Sequence, residues 1–567
     1  MAEHKIHDTF NKRYFDIPKY QRGFAWEKTH VRDLYDDIIE SIETKSEHYL
    51  GTLVLSRKPH EEDHYYIVDG QQRIATITLF INEVIKHLGR DDRAFYRRFY
   101  ITEEGDLYRL NILGKDSKYL RDLLKGKINT PESKSQRLLK EAYEEIRTIV
   151  AGLSDKKTFM HHIERLGVME FIEENEGDAI RIFQTVNDRG KPLSNMEKAK
   201  SLLIYFSNRY LSKNLDDRIN EIFGDIFEKY DDIKYIGEQV GIDLISSQDF
   251  NEDSIMRHHF VAFSDEYYDA TAAYVLSYLK RNLSDMRNEA GRHEKIERFI
   301  SDYSESLFKY FTSFKDVLVK LSRNARYYRF FVTLGPSTYL YPLIVKLAML
   351  GKLDQKLPGK EYAKYTFLDL IELIDVRVYK TKGTDPRADI SRFACELNDK
   401  MADEKIRDWL LEYNRYWMPK GTFEAFLRGW IYDNRALVHV FIRYCEKLRG
   451  RQFSLKELKE LEAESPTIEH ILAQAPKFTY RAVGFKGSEE FGDFEHRLGN
   501  LTVVERAINS AAQSKMPIEK VSYYDKSNYQ MTKSLASFIS ANKKFVKQDI
   551  KDRTDELADY ILDKWWC

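Results

Sequence analysis

Thr467-Ile468-Glu469-His470-Ile471-Leu472, followed by Arg497-Leu498-Gly499-Asn500-Leu501-Thr502-Val503 and then by Asn509, is the stretch on which the reading of this chain turns. Strand-forming residues run up to His470. Asn500 and Asn509 are nine residues apart (509 − 500 = 9), which leaves room for a strand or turn and then the start of a helix carrying the second Asn. Such a segment closes a ββα unit. A His at the end of a strand can take a proton from water, while the acidic residue before it and a later helical Asn hold one divalent cation on a phosphate. Asn500 is then expected to fix the loop that orients His470, since a general base works only when its tautomer and angle are held. Oxygen ligands from Glu469 and Asn509 suit Mg²⁺ or Mn²⁺ better than zinc. A Glu-His pair alone is an ordinary surface pair; the full set of four residues carries the reading.

The rest of the chain bounds what such a site can belong to. Its 567 residues exceed what one hydrophobic core usually serves, so two to four domains are expected. Lys and Arg number 90 against 91 Asp and Glu, a net charge of -1, so any nucleic-acid surface must be a local patch. The N-terminus lacks an apolar signal region, and the longest apolar stretch, Tyr339 to Leu350, is too short for a bilayer and carries Lys346. A cytoplasmic location without membrane association is expected. Cys395, Cys445 and Cys567 are widely separated, which predicts neither disulfides nor structural zinc.

Along the first ninety residues strand and helix signals alternate. A short apolar stretch ends at Ile17-Pro18, and Leu34, Ile38, Ile39 and Ile42 then share a helical face. Strands are predicted over His48–Ser56 and Tyr65–Val68. Asp69-Gly70 turns into a long helix through Ile74, Ile77, Ile81, Ile85 and Leu88. Beyond about residue 135 helical periodicity dominates, interrupted by the polar loop Asn187–Pro192, with Ser194 and Glu197 as a candidate capping box. In the Asp69-Gly70-Gln71-Gln72-Arg73 turn, helix N–H groups and a close backbone approach at Gly favour a phosphate, with Arg73 as countercharge. By chemistry alone Asp69 could position a metal or a water, and Gln71 and Gln72 could orient that water or read a base edge; these roles stay open. There is no GxxxxGK[ST] loop. Among lesser candidates, Arg323, Arg326 and Arg329 are three apart on one helical face and would either touch phosphates or face solvent. Lys477, Arg481 and Lys486, in a long segment between His470 and Asn500, allow the same two readings.

The segments IEHILAQ, HRLGNLTVV, INSAAQSKMPIEK and YYDKSNYQMTKSLA resemble, in order, the C-terminal nuclease domain of GmrSD-type restriction enzymes, bacterial modification-dependent (type IV) endonucleases. That resemblance implies an HNH (ββα-metal) site with His470 as general base, Glu469 and Asn509 as metal ligands and Asn500 as the structural Asn. One departure is Ala473, where the family usually has Pro. The runs Ile17–Trp26, Val68–Arg73 and Phe183–Ser194 are similar to the ParB/sulfiredoxin-like N-terminal domain of the same family, whose DGQQR box is associated with nucleoside triphosphate binding and hydrolysis. The resemblance implies that Asp69 and Arg73 act catalytically there, and that Gln21, Arg22, Asp69, Gly70, Gln71, Gln72, Arg73, Asn187 and Arg189 hold GTP or another triphosphate.

The expected fold is mainly α with α+β ends. A ParB/Srx-like nucleotide-binding domain is expected over residues 1–210, a helical middle over 211–400, and a C-terminal helical domain carrying the HNH motif over 401–567. The expected function is nucleotide-regulated, metal-dependent cleavage of modified phage-type double-stranded DNA in anti-phage defence. Two alternatives are a nucleotide-binding sensor of DNA modification with a degenerate nuclease, and a partner-controlled nuclease for unmodified DNA or RNA. Expected partners are DNA and a triphosphate, with a homo-oligomer allowed.

Overall fold

The computed structural model describes residues 2–18, 21–46, 48–103, 107–174, 193–212, 214–475 and 479–566. Asn187, Arg189 and Lys477 lie outside the described residues. The chain forms two compact units, one of residues 1–236, 248–257 and 271–315, the other of 237–247, 258–270 and 316–567. The architecture is mainly helical, with a small mixed sheet in the first unit and a two-stranded sheet in the second.

In the first unit six strands pair in the order β1 (Ala2–Lys5), β6 (Gly167–Glu173), β3 (Tyr49–Arg57), β4 (His64–Asp69), β2 (Tyr14–Ile17) and β5 (Leu110–Ile112). The apolar runs read from the sequence as strands become β2, β3 and β4. β6 corrects the expectation of helix beyond residue 135, because Gly167–Glu173 finds a parallel partner in β3, more than a hundred residues away. Local periodicity carries no information about such a partner. The helix Gln71–Ile85 leaves Gly70 at φ +96 and is buried at every position except Arg73. A helix apolar on all sides belongs inside a domain. Arg73 is therefore its one opening toward the site. Ser194 and Glu197 form the capping box that starts the helix Asn195–Tyr210.

The second unit is built of helices, two of which pass into π-helical turns, Arg329–Leu334 and Asp375–Thr381. The first of these turns overturns the phosphate-facing arginine row. Where the helix widens, Arg329 enters the interior at 3% exposure and donates to Glu446 at 2.9 Å, while Arg326 pairs with Asp369 at 3.1 Å. Arg323 alone of the three is exposed. Near the C-terminus β7 (Pro466–His470) pairs antiparallel with β8 (Leu501–Glu505), His470 opposite Leu501, and the helix Arg506–Ala512 follows at once. Ile471, Leu472, Val504, Tyr524 and Phe545 pack beneath them. Cys395 and Cys445 are free thiols. No helix among the described residues is long and apolar enough to cross a membrane.

Candidate functional site

The ββα unit gathers the C-terminal residues singled out in the sequence. Asn500, fully buried, accepts from the backbone N–H of Leu472 at 2.8 Å and donates to Leu472 O at 3.0 Å and Glu495 O at 2.8 Å, so it ties down the chain immediately after His470. The turn that delivers Asn500 requires glycine before it: a Cβ on Gly499 would lie 1.9 Å from Ile550 O. Arg553 bridges the same turn by donating to Gly499 O at 3.0 Å and Leu501 O at 2.6 Å.

Side chains alternate across a strand, so Glu469 and His470 leave β7 on opposite faces. Glu469 Oε1 accepts from Lys520 Nζ at 2.6 Å and Tyr524 OH at 3.2 Å. Lys520 also donates to His470 O at 2.7 Å. Burial pushes the Glu469 carboxyl up and the Lys520 ammonium down, each held back by the charge of the other. Asn509 donates through Nδ2 to Thr467 Oγ1 at 2.9 Å and Ile468 O at 3.3 Å. Its nitrogen is thus taken up by β7, and Oδ1 is the atom able to bind a cation. On Glu469, Oε2 is the corresponding oxygen. These two hard oxygens suit Mg²⁺ or Mn²⁺. Among the described residues no group of three or more His, Cys, Asp and Glu side chains could hold a metal ion. A cation bound by two oxygens would keep most of its coordination for water and phosphate, as Mg²⁺ commonly does.

On the other face, His470 Nε2 meets His496 Nδ1 at 3.1 Å, and Tyr432 lies over His470 with ring centroids 4.5 Å apart. Trp430 covers His496 at 3.9 Å, and Glu495 Oε1 stands 3.7 Å from His496 Nε2. Burial, followed by the neighbouring charges of His496 and Lys520, lowers the His470 pKa to about 3, so its ring is neutral at neutral pH. With Nε2 engaged, Nδ1 is the other ring nitrogen, and it accepts a proton in the tautomer whose Nε2–H donates to His496. His496, Lys520, Tyr524, Tyr432 and Arg553 were not singled out from the sequence. Lys520 lay inside one of the quoted segments, but no spacing rule connects it to Glu469. Arg481 and Lys486 are exposed.

In the first unit, Gly70 delivers Asp69 and the Gln-Gln pair at the mouth of the Gln71–Ile85 helix. Arg73 donates to Leu50 O at 3.2 Å and lies 3.5 Å from Asp69 Oδ2. Burial pushes the Asp69 carboxyl up, with Arg73 and Arg22 opposing it. Arg22 Nε lies 3.8 Å from Glu197, and Gln21 donates to Val68 O at 3.2 Å. Gln72 accepts from Ala25 N–H at 2.9 Å and donates to Gly23 O at 3.2 Å. Both ends of its amide therefore hold the Gly23–Ala25 loop. The space among Gln21, Arg22, Gln71 and Gln72 is about 30 Å³, room for one or two waters. Gly51, at φ +120, makes room for Arg73, whose Nη1 would lie 1.9 Å from a Cβ there. A glycine inside a strand signals such a close approach, so Gly51 was findable in the sequence.

The family model described as GmrSD restriction endonuclease, N-terminal domain, matches residues 6–204, and that described as GmrSD restriction endonucleases, C-terminal domain, matches residues 422–560. No curated protein matches the chain.

Proposed function

The chain belongs to the GmrSD restriction endonucleases, carrying that family's N-terminal and C-terminal domains in order, and from this premise we propose that it is a nucleotide-regulated HNH endonuclease for modified DNA. The observation that carries the reading is the ββα unit, in which Asn500 pins the residue pair after His470 while Glu469 and Asn509 each keep an oxygen for a cation. His470 takes the proton of the attacking water at Nδ1, with Nε2 held by His496. Glu469 and Asn509 would hold Mg²⁺ or Mn²⁺, which would supply Lewis-acid polarisation of the scissile phosphate. Lys520 fixes both Glu469 and the backbone of His470, so base and ligand move together.

The proposal assigns residues 1–210 to nucleotide binding, 211–400 to a helical middle and 401–567 to the nuclease. In the first unit Gln21, Arg22, Asp69, the Gly70 turn, Gln71, Gln72 and Arg73 serve GTP or another triphosphate, Arg73 and Arg22 countering its charge. Turnover there regulates the nuclease. Asn187 and Arg189 join this assignment by family resemblance alone.

The test incubates full-length protein with plain, methylated, glucosylated-hydroxymethylated and phosphorothioated DNA, with and without triphosphate and Mg²⁺. Wild type is expected to nick a modified duplex, to stop in EDTA and to recover with Mg²⁺ or Mn²⁺, whereas His470→Ala loses nicking and keeps triphosphate turnover. Arg73→Ala should lose triphosphate affinity by about 1.5–3 kcal/mol, the contribution of one charge-assisted contact, and nicking should change with it. Full nicking by folded His470→Ala removes the nuclease assignment. Unchanged binding, turnover and nicking in Arg73→Ala remove the regulatory one.

A further inference from the structure

Within the second unit a cleft of about 1090 Å³ opens beside the ββα unit. One wall belongs to the nuclease motif: Ser465 and Pro466 lead into β7, and Arg506 begins the helix that carries Asn509. Asp433 and Arg435 continue that wall from the segment covering the two histidines. Asp433 accepts from Trp430 Nε1 at 3.0 Å, and the Trp430 ring lies against His496 at a tilt of 37°. The opposite wall, Phe331–Tyr341 with Tyr379–Asp385, lies outside both family matches and is formed around the two π-helical turns. Gly335 and Gly383, at φ +61 and +68, leave open space where a Cβ would stand.

The volume selects the occupant. A cleft of about 1090 Å³ is ample for a single nucleotide and falls at the upper end of the range of small-molecule sites. The lining matches one. Asp433 and Glu462, which accept from Trp430 at 3.0 Å and Thr333 at 2.6 Å through one oxygen each, have a second carboxylate oxygen for the polar edge of a base, and the half-buried ring of Tyr339 carries the Arg387 guanidinium at 4.6 Å on one face, so that a base would stack on the other. Arg435 and Arg506 are exposed and make no ion pair among the described residues, which leaves both free for phosphates. We propose that this cleft receives one nucleotide swung out of duplex DNA, with Arg435 and Arg506 gripping the phosphates on either side of it. The proposal rests on the nuclease reading of the adjoining site, and it places the inspection of the base beside the point of cleavage.

The test uses full-length His470→Ala protein, which can bind without cutting, and a short duplex carrying a mismatched 2-aminopurine, the base that costs least to extrude. Binding should raise 2-aminopurine fluorescence, and adding Val332→Phe, which fills the cleft from its π-helical wall, should abolish that rise. In a separate variant, Arg435→Ala with Arg506→Ala should lower duplex affinity at least tenfold and flatten the slope of log K against log salt by about 1.8, roughly 0.9 per phosphate contact. Both arginines are exposed, so the fold survives the change. No fluorescence rise, a rise untouched by Val332→Phe, or an unchanged salt slope would each overturn the proposal. If wild type nicks modified DNA while these responses fail, the cleft assignment alone falls. If the responses appear but wild type nicks nothing, the nuclease reading falls and the cleft stands.

Discussion

His496 meets His470 across 26 residues of chain, and its position four residues before Asn500 puts it in the same turn that ties down Leu472. A ring nitrogen held at 3.1 Å fixes the angle of the proposed base, a role outer partners commonly play for roughly 10–100-fold in activity. His496→Ala should therefore lower nicking turnover by about that factor with DNA affinity unchanged, and His496→Asn, which keeps a polar atom near the Nδ1 position, should restore part of it. Equal losses in affinity and turnover, without rescue by Asn, would mean that His496 only supports the fold. At this scale the sequence singled out His470, Glu469, Asn500, Asn509, Asp69 and Arg73 as residue types in a pattern. It could not show that Gln72 gives its amide to the Gly23–Ala25 loop, because that depends on which backbone groups arrive beside it.

Of the buried contacts that couple β7 to the helix Pro517–Tyr524, the ion pair is Lys520 to Glu469 at 2.6 Å, with side-chain exposures of 0% and 7%. Removing one member of such a pair leaves an uncompensated charge in the interior. Lys520→Met should cost about 3–5 kcal/mol in denaturant unfolding, and the double change Glu469→Gln with Lys520→Met should recover most of it while nicking stays lost. A single variant as stable as wild type would show that the pair is not electrostatically closed. Elements were legible wherever their signal was local: β2, β3, β4 and the helix after Gly70 follow apolar periodicity and a turn residue. β6 and the π-helical turns were not. β6 depends on a distant parallel partner, and the π turns arise where Arg329 and Asp375 are drawn into the interior of the second unit.

Across the whole second unit, buried charges join segments far apart in sequence, Glu372 to His439 at 3.0 Å and Arg329 to Glu446 at 2.9 Å, with Arg443 adding a local pair to Glu446 at 2.6 Å. Burial alone would push the Glu372 carboxyl up, but His439, Arg443 and Arg329 around it hold it well below its ordinary value of 4.5. A carboxyl depressed in the folded state stabilises the fold above its unfolded value and loses that contribution as pH falls toward its folded value. Denaturant midpoints of wild type should thus fall as the solution is acidified below 4.5, and Glu372→Gln should be less stable at neutral pH with a shallower decline in acid. Parallel pH curves for the two proteins would exclude Glu372 as a source of acid lability. By itself the sequence determined the family signature of both ends, because such a motif is a short pattern of residue types whose spacing already encodes strand, turn and helix. Only the tertiary structure decided that His496 and Lys520 complete the C-terminal site, that Gly51 makes room for Arg73, and that 237–247 and 258–270 join 316–567 in one unit. Each of these depends on segments brought together by packing, and a periodicity confined to a few turns of chain cannot register neighbours that lie tens or hundreds of residues away.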